Sequence, residues 1–137
     1  MAGTFLLELV SPEKLLLSRQ VEMVVIPAAE GELGVLPGHV PAIVSLRGGA
    51  VRVYEGGQVT ESLFVPAGFA EVTPERVTVL ADEATPLAAL SRAKAEADLA
   101  AAEADYAAAA TDTPEKREAA MDRLLSMRVK KELAEAA

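Results

Sequence analysis

A chain of 137 residues has room for one ordinary core, or for a small domain with an appendage. Apolar residues make up 51%, but many are alanine and there is no Trp, so the core must be built from Val, Leu and Ile. A formal charge of −8 repels nucleic-acid phosphates and anionic membranes, which argues against DNA or RNA binding, and the lack of Cys excludes disulfides and thiolate metal sites.

The first residues carry no basic segment, and Glu8 interrupts their apolar run, so no signal peptide is read there. No apolar stretch approaches the ~18 residues of a membrane span. The expectation is a soluble, cytoplasmic protein that meets a membrane only by binding a membrane protein, without insertion of its own.

In chain order, the first half reads as short strands. Phe5, Leu7 and Leu9 alternate with Leu6, Glu8 and Val10, and Val21, Met23 and Val25 alternate with Glu22, Val24 and Ile26. Val51 and Val53, then Val77 and Val79, repeat the pattern. A period of two puts alternate side chains on opposite faces of a sheet. Turn residues separate the runs: Ser11-Pro12, residues 30–34, Pro37-Gly38, Gly56-Gly57 and Thr73-Pro74. Gly56-Gly57 signals a two-residue hairpin, because glycine reaches the positive φ of primed turns. Pro27, Pro37, Pro41 and Pro66 have no N–H to donate and belong at strand ends, edges or bulges. The pattern predicts an antiparallel sandwich or barrel over residues 1–85.

From Pro86 the pattern is helical. Of the last 52 residues 18 are Ala, which favours helix at almost every position. The spacing predicts a helix from about Leu87 to Ala110, with Leu87, Leu90, Ala97, Ala101, Ala104 and Ala108 on its apolar face. Thr111-Asp112-Thr113-Pro114 breaks it, with Thr113 suited to an N-cap and Pro114 to the first helical position. A second helix carries Met121, Leu124, Leu125, Val129 and Leu133, and so short a break implies an antiparallel hairpin over 86–137. An alanine face buries little apolar area, so helices that are stable in themselves are expected to dock weakly.

Candidate sites are few. Glu30 and Glu32 flank Gly31 in a turn-like segment, and nothing marks them as a buried acid/base pair. His39, the only histidine, supports neither a zinc site nor a nucleophilic triad, so a structural loop role is the first reading. Gly31, Gly34 and Gly38 fit no phosphate-loop spacing and read as turn formers. Arg123, Arg128, Lys130 and Lys131 favour the negative end of a helix dipole. No set of residues makes a persuasive catalytic centre. A generic β-sandwich adaptor with a self-associating hairpin is the alternative to a subunit of a larger assembly, and sedimentation separates them.

Residues 30–41, EGELGVLPGHVP, resemble the signature of ATP synthase epsilon subunits, roughly EGELGIxPGHxP. Residues 9–13, 69–72, 77–82, 91–95 and 121–124 also resemble segments of that family, in order along the chain. The resemblance implies a ten-stranded sandwich with two C-terminal helices in a non-catalytic rotor subunit. Its partners would be the gamma subunit and the polar loops of the c-ring, with proton flow coupled to ATP synthesis. Glu30, Gly31, Glu32 and His39 become c-ring candidates. Arg92, Arg123, Arg128, Lys130 and Lys131 become candidates for contact with the alpha/beta subunits, through an extended hairpin that brakes ATP hydrolysis. Some relatives bind ATP through a motif like [IL]-D-x-x-R-A, aided by arginines on the second helix. Arg92-Ala93 matches its end, but Ala89 stands at the aspartate position and Ala119 at one arginine position. Each lost charge-assisted bond costs about 1.5–3 kcal/mol, so little ATP binding is expected; no cofactor or metal is implied.

Overall fold

Alternation of apolar and polar residues places the strands along the first half of the chain. The computed structural model describes residues 3–136. Ten strands come first: β1 (Phe5–Val10), β2 (Leu15–Val21), β3 (Met23–Ala28), β4 (Gly31–Val35), β5 (Ala42–Leu46), β6 (Gly49–Glu55), β7 (Gln58–Val65), β8 (Gly68–Val72), β9 (Arg76–Ala81) and β10 (Thr85–Pro86). A 3-10 turn at Leu87–Ala89 leads to α1 (Arg92–Ala108), and after a second such turn the chain continues into α2 (Pro114–Ala136).

The sheet runs β10-β7-β6-β3-β5-β8-β9-β1-β2, with β4 paired to β3. Between β3 and β5 the ladder narrows to one residue pair, Ala28 with Leu46. The sheet folds there into two layers, which face each other over Leu7, Leu9, Val24, Ile26, Val53, Val77 and Val79. Pro27 explains the narrowing. β3 pairs with β6 only through Met23, Val24 and Val25, and Pro27, beyond that point, has no N–H to extend the ladder. The Pro27 carbonyl instead accepts the Arg47 N–H at 2.8 Å.

Every strand pair is antiparallel except β1 with β9, which is parallel. Residues 1–10 and 76–81 lie far apart in sequence, and alternation fixes the faces of a strand without fixing its neighbour. Gly56 and Gly57, at φ +63° and +74°, make the β6–β7 turn. The Thr113 hydroxyl accepts the Lys116 N–H at 3.3 Å, which caps α2.

The first helix differs from expectation at its start and in its face. Leu87 and Leu90 precede α1, whose N-cap is Ser91, accepting the Lys94 N–H at 3.2 Å. Ala97, Ala101, Ala104 and Ala108 are exposed, whereas Ala95 and Ala102 are buried. An alanine-rich helix offers little contrast between faces, so the larger residues of the partner decide which one is covered. On α2, Leu124 and Met127 are buried while Met121 and Leu125 remain exposed.

Candidate functional site

Three surfaces carry the candidate residues. The first is the β3–β4 tip. Glu30 lies in its exposed two-residue turn, and Gly31 opens β4 opposite Ala28. The Glu32 carboxylate accepts from Arg52 of β6 at 3.2 Å while remaining largely in water. The pair holds the tip to the neighbouring strand.

His39 lies after β4, in the loop that leads to β5. Its Nδ1 is 3.0 Å from the Val40 carbonyl oxygen, which can only accept, so that nitrogen donates. The loop is tied to the β8–β9 turn by the Gly38 N–H, which donates to the Pro74 carbonyl at 2.9 Å. β4 carries the chain about 13 Å, at ~3.3 Å per residue, from the tip at Gly31 to the start of the loop that holds His39. Adjacent in sequence, these candidates belong to opposite ends of the layer.

A second surface was not legible from alternation, because several runs are apolar on both faces. Ser45 pairs with Phe69, Phe69 with Leu80, and Leu80 with Val10, so these residues share the outer face of the β5-β8-β9-β1 layer. Ile43, diagonal to Phe69, lies on the same face. Ile43, Phe69 and Leu80 are 79%, 55% and 47% exposed. Val40 and Leu36, in the His39 loop, are also exposed. Single exposed apolar residues are ordinary, but a contiguous group of large ones marks a contact surface.

The third surface lies between the hairpin and the sandwich. α2 approaches so closely that a Cβ on Gly48 would fall 2.7 Å from the Ser126 Cα. The Ser126 hydroxyl donates to the Pro66 carbonyl at 2.5 Å. Phe64, Ala102, Leu124 and Met127 form the small buried cluster beneath, with Leu87, Leu90 and Leu99 packed against it. Lys130 is buried there and donates to Asp98 of α1 at 2.9 Å. Its ammonium holds the Asp98 carboxyl below the ordinary range, against the opposing effect of partial burial.

The hairpin candidates thus divide. Arg92, Arg123 and Arg128 are exposed, and Lys131 is half-buried and pairs with Glu135 at 3.8 Å. Lys130 faces inward. Arg123, Arg128 and Ala119 line an open cleft of about 1460 Å³ between α2 and the sandwich. Ala89 sits in the 3-10 turn ahead of α1, away from helical register with Arg92. Of the residues that form the docking contacts, Pro66 was expected only as a strand-end residue, and Gly48, Phe64, Asp98 and Ser126 were not singled out by sequence. Of the latter, only Gly48, in a Gly-Gly pair, carried even an ambiguous signal.

A two-layer sandwich with an appended helical hairpin and a contiguous exposed apolar face has the features of a protein that binds through its surface. Residues 4–87 match the family model described as ATP synthase, Delta/Epsilon chain, beta-sandwich domain. An ATP synthase epsilon chain from Granulibacter bethesdensis is 69% identical over 90 residues, covering 66% of this chain and 67% of that one. The epsilon chain of Rhodospirillum rubrum is 48% identical over 126 residues, covering 92% and 93%. A chain in the mitochondrial ATP synthase of Euglena gracilis, solved with OSCP, F1 and c-ring, superposes with TM-score 0.73 at 27% identity, over 93% of this chain and 79% of that one. A chain of the Tetrahymena thermophila central stalk and c-ring shares the fold, with TM-score 0.65 at 14% identity, over 95% and 96%.

The chain belongs to the epsilon-chain family of F-type ATP synthase. It is accordingly a non-catalytic, central-stalk subunit. No described helix is long and apolar enough to cross a membrane.

Proposed function

We propose that the chain joins the gamma subunit to the c-ring and turns with them, coupling proton flow to ATP synthesis at the cytoplasmic face of the membrane. The observation that carries this reading is the exposed Ile43–Phe69–Leu80 face, which gamma would cover. It lies on the outside of a rigid layer, where covering it buries apolar area without reshaping the core. His39, Val40 and Leu36 extend this surface at one end of the layer. The Glu30–Gly31–Glu32 tip, at the far end of β4, is then free to meet the polar loops of the c-ring.

In this reading the hairpin is a regulatory element. Arg92, Arg123 and Arg128 are exposed and could meet an acidic loop of the catalytic subunits once the hairpin extends. Lys130 joins them only after undocking. Nucleotide binding is not part of the proposal, since Ala89 and Ala119 offer neither acceptor nor charge.

The test is binding of the full chain to its cognate gamma subunit by calorimetry. Phe69→Glu places a charge in the centre of the face and should weaken binding at least about thirtyfold, the scale of a central interface residue. The sandwich should melt as before, because Phe69 lies outside the core. Undiminished affinity would move the gamma surface elsewhere.

A further inference from the structure

Docking of the hairpin encloses a charge. The Lys130 side chain is only 8% exposed. Its Nζ lies 2.9 Å from Asp98 Oδ2 and 5.7 Å from the centroid of the Phe64 ring. The ammonium is therefore held by α1 on one side and faced by β7 on another. Lys94 also reaches Asp98, at 3.3 Å, but its own side chain stands in water. Asp82, Glu83 and Glu132 line the same cleft.

We propose that the Lys130–Asp98 pair poises the hairpin for release: it fixes the docked geometry while adding little net stability to it. Lys130 is withdrawn from water and Asp98, with 22% of its side chain exposed, mostly so; the hydration they lose is roughly repaid by their attraction, and the pair contributes little beyond an apolar pair of equal size. When α2 leaves β7, Phe64 no longer roofs the ammonium and both charges recover water. The loss of the contact is thereby offset, which would not be so for two apolar side chains. The rest of the docking cluster is small, since Ala102 supplies one methyl and Phe64, Leu124 and Met127 supply most of the area.

The pair does fix register. Ser126 and Lys130 are four residues apart on α2 and share a face. Only one rotation of the helix brings Ser126 to the Pro66 carbonyl and Lys130 to Asp98 together. The inference concerns docking alone and holds whether or not the hairpin restrains ATP hydrolysis.

The native chain has no cysteine, so the full-length protein with Met127→Cys reports opening through its rate of thiol modification. In this background Asp98→Asn leaves the ammonium without its counter-charge, and labelling should accelerate at least about tenfold. Asp98→Leu combined with Lys130→Met replaces the pair by apolar groups, and labelling should slow several-fold. The β-sheet circular dichroism is followed in parallel. If the Asn variant fails to fold, the apolar pair alone decides. Labelling of the apolar pair as fast as the background, or faster, would mean that the ions clamp the hairpin, and would overturn the proposal. An unchanged rate in a folded Asn variant would overturn it equally.

Discussion

Gly48 sets how near α2 comes to the sandwich. The helix backbone passes where a side chain would begin, and that closeness lets Ser126 reach the Pro66 carbonyl. Gly48→Ala should push α2 off its bed at a cost of about 1–3 kcal/mol, the range for overpacking a close contact. The expected result is faster amide exchange along α2, with exchange in the inner strands unchanged. Unchanged exchange along α2 would show that the helix does not rest there. At Gly56 and Gly57 the need for glycine is different, since there the backbone itself takes positive φ.

Each helix forms from local signals, but the hairpin as an element is placed by a few polar contacts. Ser91 caps α1, and Thr113 with Pro114 starts α2. Asp98 then links the helices. Its carboxyl titrates below the ordinary value of 3.8, chiefly through the hydrogen bond from Lys130 and further through Lys94, and against desolvation. A carboxyl whose folded pKa is lowered contributes stability above the unfolded value and loses it as pH falls through the folded value. Docking should therefore be insensitive to Asp98 from neutral pH down to about 4, and should loosen below it. Amide exchange along α2, compared between the native chain and Asp98→Asn at successive pH values, checks this. Identical acid loosening in both would assign the effect to other carboxyls.

Across the whole molecule the two cores are unequal. Among the described residues the sandwich core is a cluster of seventeen buried apolar side chains, and the apolar cluster beneath the hairpin holds four. At about 1.5–3 kcal/mol for a large apolar side chain, this difference leads to the expectation that the hairpin opens before the sandwich does. If the hairpin brakes the enzyme, its removal should raise ATP hydrolysis by the assembled synthase several-fold. The cut belongs after Leu90 and not at the 85/86 boundary that the sequence pattern suggests, because β10 pairs Thr85 and Pro86 with Phe64 and Leu63 of β7. Unaltered hydrolysis in an intact assembly would mean that the chain couples the rotor without restraining it.

Local chemistry by itself determined much of this protein. Alternation in residues 5–10, 51–54 and 76–79 marked strands, the glycine pair marked their hairpin, and Thr113-Pro114 marked the start of α2. These features were legible because each depends on neighbours a few residues away. The run 21–26, by contrast, is broken at Glu22 between β2 and β3, so that Val21 is buried together with Val24 and Ile26 and not with Met23 and Val25. The segment at 30–41 carried the family likeness, yet not the separation of its two ends by β4. Tertiary structure alone decided the parallel pairing of β1 with β9, the exposed Ile43–Phe69–Leu80 face and the covered side of α1. In runs apolar on both faces the period survives but the choice of face does not, and an alanine helix offers little contrast to read. The burial of Lys130 was likewise invisible, because its setting comes from Asp98, thirty-two residues away, and from Phe64 in another layer. Such contacts form only when the whole chain has folded, and no local pattern encodes them.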